Sequence, residues 1–169
     1  RRYHDTTHLT EVLAAIDTLC AAQPPRDPGT RTVAGLAAWF HDAVYAVEPA
    51  SGNEARSAAL AESSLTALDV SDAVVRRVVT LVLDTEDHAI PDGRGDGARA
   101  IFHDADLWVL SAPLHRFDEY CSQVREEHRQ VPPGPYAAAR TAVLRPFLVR
   151  AHVYATAHAR QAWEPAARE

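Results

Sequence analysis

Apolar residues recur at helical spacing along almost the whole chain, and this pattern constrains the fold more than any other feature. Leu9, Val12 and Ile16 lie on one face of a helix near the N-terminus. The valines from Val74 to Val82 would favour a strand by residue type. Their spacing of i, i+1, i+4, i+5 and i+8 is helical and does not alternate. The sequence therefore predicts an all-α protein.

Proline, glycine and capping residues divide this pattern into about seven to eight helices. The predicted helices cover Leu9 to Leu19, about Thr32 to Val47, Asn53 to Leu68, Ser71 to Val82, about Ala98 to Leu110, the stretch after Pro113, Tyr136 to Arg150, and His152 to Trp163. A loop is expected from Asp84 to Gly97, and a break at Pro132–Pro135. We expect one domain over residues 1–169. Because the chain opens without methionine, we also expect some N-terminal sequence to be absent from it.

Charge and composition exclude several classes of function. The formal charge is −6, with 17 basic and 23 acidic residues in no blocks, which disfavours binding to a nucleic-acid polymer. No apolar run approaches the ~20 residues of a membrane span. Cys20 and Cys121 lack metal-binding spacing and are predicted to be core residues in a reducing compartment. We therefore expect a cytoplasmic protein with a small-molecule substrate. Its oligomeric state is left open, a homodimer included.

His41 and Asp42 are the centre of the predicted site. They end an apolar stretch, and a buried carboxylate is costly unless it is paired or binds a cation. Taken alone, the pair is better explained as a hydrogen-bonded core histidine beside a surface aspartate. His8 and Asp106 change that balance, because both lie on inward faces of their own predicted helices. His4, one turn before His8, is a rival for the same place.

These residues form part of a longer series of short motifs. In chain order they are Arg1-x-Tyr3-His4 with His8, Trp39-Phe40-His41-Asp42-Ala43-Val44-Tyr45, Asn53-Glu54 with Ser57-Ala58, Thr85 with His88, Asp104-Ala105-Asp106-Leu107 with Leu110, Arg125-Glu126-Glu127, and Arg140 with Leu144. The series resembles the HD superfamily of metal-dependent phosphohydrolases, and within it a predicted bacterial family of undefined substrate. The resemblance implies a single HD-domain-like helical bundle. It also implies hydrolysis of a phosphoester, a nucleotide or other small phosphorylated metabolite, by a metal-activated water.

The same resemblance assigns the metal ligands as His8, His41, Asp42 and Asp106. His4 is then either the alternative to His8 or a contact to the substrate. Two imidazoles and two carboxylates suit Mn²⁺, Mg²⁺, Fe²⁺, Co²⁺ or Ni²⁺ and do not distinguish among them. The absence of thiolate ligands argues against a closed structural zinc site.

Other residues receive roles as hypotheses. Asp42 or Asp104 would orient or deprotonate the water, and His88 would bind phosphate or protonate the leaving oxygen. Arg125 would clamp phosphate, or else pair with Glu126 or Glu127. Glu54 would hydrogen-bond a ligating histidine, or simply favour the helix N-terminus.

Two alternatives to hydrolysis remain open at this stage. An HD-type di-iron oxygenase would need further histidine ligands, for which His88 and His103 are the candidates. A non-catalytic, metal-containing nucleotide sensor would use the same pocket without turnover.

Overall fold

A computed structural model describes residues 1–47, 52–89 and 97–169 of the chain. Within these ranges the regular structure is entirely helical, with nine α-helices of which seven have at least seven residues. The helices are α1 (Thr6–Ala22), α2 (Thr30–Phe40), α3 (Asn53–Ala67), α4 (Asp72–Leu83), α5 (Gly97–Asp106), α6 (Leu114–Glu127), α7 (Pro133–Val149), α8 (Ala157–Ala162) and α9 (Glu164–Ala167). Short 3₁₀ turns cover Asp84–Glu86 and Leu107–Ser111. The prediction of an all-α bundle is confirmed.

The second helix ends seven residues before its predicted end, which changes the backbone around the candidate site. α2 stops at Phe40, with His41 as its C-cap, whereas the sequence predicted helix to Val47. Beyond this point, side chains of α3 accept hydrogen bonds from the backbone. The N–H of Val44 donates to Ser57 Oγ at 3.0 Å, and that of Ala46 to Asn53 Oδ1 at 3.0 Å. These tertiary hydrogen bonds replace the helical ones.

Two further boundaries differ from the prediction. The break before the seventh helix ends earlier than predicted, since α7 begins at Pro133 and not at Tyr136. Proline is tolerated in the first turn, where its missing N–H would have no helical acceptor. The predicted eighth helix is in fact two short helices, α8 and α9, separated at Trp163. The predicted loop from Asp84 begins with a 3₁₀ turn, and its residues 90–96 lie outside the described part of the chain.

The main core forms where α1, α2, α4 and α5 pack together. Val12, Val33, Val78 and Phe102 are each 2% exposed or less, one from each of these helices. α1, α2 and α5 also contact one another pairwise. Polar residues near the ends of these three helices are therefore brought close together.

A smaller apolar cluster closes one side of the bundle. Tyr3, Val109, Tyr120 and Val124 are its buried members. Above it the Arg116 guanidinium binds the carboxylate of Glu11 through two hydrogen bonds, of 2.5 and 2.9 Å. This cluster attaches α6 to the start of the chain.

The sequence also led to predictions about the two cysteines and about membrane spans. Cys20 and Cys121 are unpaired and half-buried, as expected for thiols that fill space in the core. None of the helices described here combines the length and apolarity that crossing a bilayer requires.

Candidate metal centre

His8, His41 and Asp42 converge on one point beside the main core. The Nε2 atoms of His8 and His41 lie 3.2 Å apart. Oδ2 of Asp42 lies 3.1 Å from Nε2 of His41 and 3.7 Å from Nε2 of His8. Both imidazoles are buried, at 4% and 5% residue exposure. This group has the residue types and the close spacing that could hold a metal ion.

Asp106, the last residue of α5, adds a second carboxylate to the same point. Its Oδ1 atom lies 3.2 Å from His8 Nε2 and 3.4 Å from His41 Nε2. The structure therefore brings together all four residues that the sequence suggested as ligands. His8, and not its rival His4, lies among them.

A hydrogen bond on the far side of His41 sets the orientation and tautomer of its ring. Nδ1 of His41 lies 2.8 Å from the carbonyl oxygen of Ala38. A carbonyl only accepts hydrogen bonds, so Nδ1 must carry the proton. In the neutral ring, Nε2 then presents a lone pair to the cluster, as a metal-binding imidazole does.

The environment of Asp42 is the least satisfied part of the cluster. Its Oδ2 atom is buried and has no hydrogen bond of good geometry from a described residue, although Nε2 of His41 lies 3.1 Å away. Buried polar atoms are nearly always satisfied, and leaving one unpaired costs about 1–3 kcal/mol. A cation at the centre of the cluster would remove this cost.

The spacing of the donor atoms also fits a single cation. Metal–ligand bonds of about 2.1 Å place neighbouring donors about 3.0 Å apart at right angles and about 3.4 Å apart in a tetrahedron. The nitrogen and carboxylate atoms of the cluster are separated by 3.1–3.7 Å. These separations are compatible with His8, His41 and Asp42 holding one divalent ion, with Asp106 beside them.

The electrostatics of the cluster favour a positive charge at this point. Burial alone would lower the pKa of His41, but the carboxylates of Asp42 and Asp106 outweigh it and hold that pKa well above its usual value. Burial likewise would raise the pKa of Asp106, but His41 and His8 hold it well below the usual range. The two carboxylates thus stay ionised and attract either a proton or a cation.

His4 lies beside the cluster and is held by Glu127. Nδ1 of His4 is 2.7 Å from Oε2 of Glu127, and its ring stacks on Tyr45 with centroids 4.0 Å apart. Oε1 of Glu127 accepts from the backbone N–H groups of Arg2 and Tyr3 at 2.6 and 3.0 Å. Burial is outweighed by these bonds, which lower the pKa of Glu127 to about 2. Glu127 therefore fixes the N-terminal segment and one ring nitrogen of His4.

His88 approaches the cluster from the opposite side. Its Nε2 atom lies 3.9 Å from Oδ2 of Asp106. Its backbone has a φ of 48°, in the left-handed region that non-glycine residues seldom adopt. Arg150 and His103 hold it there by donating to the His88 carbonyl at 2.6 and 3.2 Å. Burial lowers the pKa of His88, so its ring is neutral near pH 7.

The cluster opens into a cavity of about 320 Å³. His4, His88, Glu54 and Thr85 line it near the four candidate ligands. Val143, Leu144 and Phe147 of α7 form an apolar wall. The cavity therefore combines a polar end, suited to an ion and an anion, with an apolar surface.

Asp104 does not line this cavity, where its predicted catalytic role would require it to be. Its side chain is fully buried, and Oδ1 and Oδ2 accept from the backbone N–H groups of Ala155 and Thr156, each at 2.7 Å. Nδ1 of His103 also lies 3.0 Å from Oδ1. Asp104 therefore anchors the chain before α8, and it has no access to a water in the cavity.

Arg125 is likewise misplaced as a phosphate clamp. Its guanidinium donates to the carbonyls of His128 and Val131 at 2.7 and 3.0 Å and lies over the ring of Tyr136. It does not line the cavity. Nor does it pair with Glu126 or Glu127, the alternative that the sequence left open. Its bonds instead close the turn between α6 and α7.

Glu54 and His103 also differ from expectation. Glu54 lines the cavity but forms no hydrogen bond with His8 or His41, within the residues described. Both ring nitrogens of His103 are engaged, one with Asp104 and one with the His88 carbonyl. His103 is therefore not available as the extra ligand that a second metal would need.

Sequence reasoning missed Glu127 and Arg140 as residues of the site. Glu127 was considered as part of the family resemblance and as an ion-pair neighbour of Arg125, and Arg140 only as part of the resemblance. In the structure Glu127 holds His4, and Arg140 lines the cavity. Their sequence context is that of ordinary helix-surface charges, so no local signal identified them.

Comparison with known proteins found no matching family model, curated protein or solved structure.

Proposed function

We propose that the protein is a metal-dependent phosphohydrolase that acts on a small phosphoester. The observation that carries this proposal is the position of the buried Oδ2 atom of Asp42, 3.1 Å from Nε2 of His41 and 3.7 Å from Nε2 of His8. An ionised carboxylate oxygen that is buried beside two imidazole nitrogens is the arrangement of an ion-binding site.

His8, His41, Asp42 and Asp106 would hold a divalent cation. Such an ion supplies Lewis acidity, which polarises a phosphoryl oxygen and makes a water molecule more acidic. The remaining side chains of the cavity then bind the substrate, orient it and move protons.

His88 is the group that we propose accepts the proton of the attacking water. Its neutral ring can accept a proton, and its Nε2 atom faces Asp106 at 3.9 Å. The clamped, left-handed backbone keeps the ring in this place. This assignment replaces the earlier expectation that His88 protonates the leaving oxygen.

His4 is better placed to serve the leaving oxygen. Glu127 holds Nδ1 of His4, so Nε2 is the ring atom left for a contact in the cavity. The carboxylate of Glu127 behind the ring fixes its orientation. We propose that His4 contacts the substrate and donates a proton to the oxygen that leaves.

The cavity suits a substrate of metabolite size. Its volume of about 320 Å³ is at the lower end for small-molecule sites, which span about 300–1,000 Å³. The apolar wall of α7 would pack against the organic part of the molecule. A nucleotide or another small phosphorylated metabolite meets these requirements.

The experiment that tests this proposal measures phosphate release from a broad panel of nucleotides and phosphoesters. Mn²⁺, Mg²⁺, Co²⁺ or Ni²⁺ is supplied in turn, and the His41→Ala/Asp42→Ala protein is the blank. The exposed His115 offers a control variant, His115→Ala, which should keep full activity. We expect metal-dependent release that is lost in the blank and kept in the control.

Failure would take a recognisable form. If the protein holds metal and yet releases no phosphate from any compound, the hydrolase proposal is wrong. Binding of a nucleotide under those conditions, without turnover, would favour the metal-containing sensor.

A further inference from the structure

Arg140 is a half-buried cation in the cavity wall with no carboxylate partner among the described residues. It donates from Nη2 to the hydroxyl of Tyr120 at 2.5 Å, and its guanidinium lies 5.3 Å from the centre of that ring. These contacts use one of its five N–H donors. Much of its capacity for hydrogen bonding therefore remains for a ligand.

Several other arginines of this protein have two or more N–H donors engaged. Arg116 binds Glu11 through two hydrogen bonds, and the half-buried Arg125 and Arg150 each donate to two backbone carbonyls. Arg140 differs from these three in having a single hydrogen bond, to Tyr120, and in lining the cavity. A guanidinium in this setting is suited to a phosphate or carboxylate of a ligand.

Arg140 stands apart from the candidate metal ligands. Its partner Tyr120 packs on Tyr3, with ring centroids 4.6 Å apart. Tyr3 in turn packs on His8, again with centroids 4.6 Å apart. Two aromatic rings therefore separate Arg140 from the nearest ligand, while the same cavity is lined by both.

The cavity that both line also has an apolar surface. Leu110, Val124, Val143 and Leu144 contribute to it. A ligand that spans the cavity would place its organic part on this surface and an anionic group at each end.

We infer that Arg140 forms a second anion subsite, so that the substrate is a phosphoester carrying a second anionic group, a phosphate or a carboxylate. This inference rests on the proposed function and specifies its substrate class. One anionic group lies at the metal ligands and the other binds Arg140. The hydroxyl of Tyr120 orients the guanidinium of Arg140.

The test compares ligands with one and with two anionic groups. The probes are alkyl monophosphates and α,ω-alkanediol bisphosphates of matched and increasing length, with ω-carboxyalkyl phosphates as the carboxylate series. Binding to the full chain is measured by calorimetry with Mn²⁺ supplied, and phosphate release is followed in parallel. The variants are Arg140→Gln and Arg140→Lys. Arg125→Gln is the matched control, since Arg125 lies outside the cavity.

We expect at least one doubly anionic probe to bind about tenfold or more tightly than its monophosphate, as one charge-assisted contact would give. Arg140→Gln should abolish that preference and leave monophosphate affinity within about twofold. Arg140→Lys should retain part of the preference, and Arg125→Gln all of it. Whichever series binds more tightly identifies the second group as phosphate or carboxylate.

Two results would overturn the inference. An equal loss for singly and doubly anionic probes in Arg140→Gln would mean that Arg140 binds the reacting phosphate itself. No preference in the parent protein, at any length, would mean that the cavity has one anion site. A preference without any phosphate release would support the subsite and refute the hydrolase.

Discussion

Nε2 of His8 lies 3.2 Å from Nε2 of His41, although 33 positions separate the two residues in the chain. At this distance one ring can donate a hydrogen bond to the other, or both nitrogens can bind one cation. The carboxylates of Asp42 and Asp106 beside them add negative charge at the same point. This relationship defines the site, and most of the following predictions depend on it.

Replacement of Asp42 by Asn should remove the bound metal. The substitution keeps the shape of the side chain and removes its negative charge. We expect metal content to fall roughly tenfold or more, measured by mass spectrometry after equilibration with Mn²⁺ or Ni²⁺. Full metal retention in both Asp42→Asn and His41→Ala would contradict the site, and His115→Ala is the control.

His8 and His4 should respond differently to the same substitution. His8→Ala should lose metal, because Nε2 of His8 lies within 3.7 Å of both Nε2 of His41 and Oδ2 of Asp42. His4→Ala should keep metal and lose turnover, since Nδ1 of His4 is bound to Glu127. Metal titrations of the two variants, beside assays of phosphate release, separate these outcomes. The reverse ranking would place the ligand one helical turn earlier.

Glu127 should make the stability of the protein depend on pH in acid. Its pKa is about 2 in the folded chain against an ordinary 4.5, so it stabilises the fold above pH 4.5 and loses that effect as pH falls towards 2. The full difference corresponds to roughly 3 kcal/mol. Urea unfolding between neutral and acidic pH should show a smaller decline for Glu127→Gln. Parallel pH profiles for parent and variant would refute the assignment.

Asp104 should matter for stability and not for metal binding. Asp104→Asn replaces a fully buried carboxylate that accepts two backbone hydrogen bonds and lies beside His103. The substitution should therefore weaken these contacts. We expect a loss of about 1–3 kcal/mol in the free energy of unfolding, with unchanged metal content. If metal binding or turnover falls while stability stays the same, Asp104 belongs to the site after all.

Arg125 should behave as a structural residue. Arg125→Gln removes the two bonds that close the turn after α6. We expect a loss of about 1–2 kcal/mol in stability and an unchanged KM for any substrate found. A clear rise in KM, at unchanged stability, would restore the original hypothesis of a phosphate clamp.

Most helices and the four candidate ligands could be predicted from periodicity, capping residues and the placement of acids on apolar faces. His8, His41 and Asp106 lie near the ends of three helices that pack pairwise, so inward-facing positions on these helices had to meet. The end of α2 could not be predicted in the same way. Ser57 and Asn53, which lie on another helix, accept hydrogen bonds from the backbone after Asp42. No local sequence pattern predicts such a contact.

The charged residues around the cluster were predicted less well. Arg125 precedes two glutamates and Arg140 follows three alanines, and neither pattern shows that the first closes a turn and the second lines the cavity. Asp104 and Asp106 are two residues apart, which on a helix directs them to different sides. Asp104 was assigned to the site through its proximity in sequence, whereas its partners belong to residues 155 and 156.

The sequence by itself determined the helical fold class and the set of residues that could bind a cation, because apolar spacing and residue chemistry are local properties of the chain. The tertiary structure alone decided that His8 faces His41, that Glu127 holds His4, and that Arg140 faces the cavity. Each of these contacts joins distant segments. A side chain that rotates freely in the unfolded chain acquires its direction only from the packing around it in the folded protein.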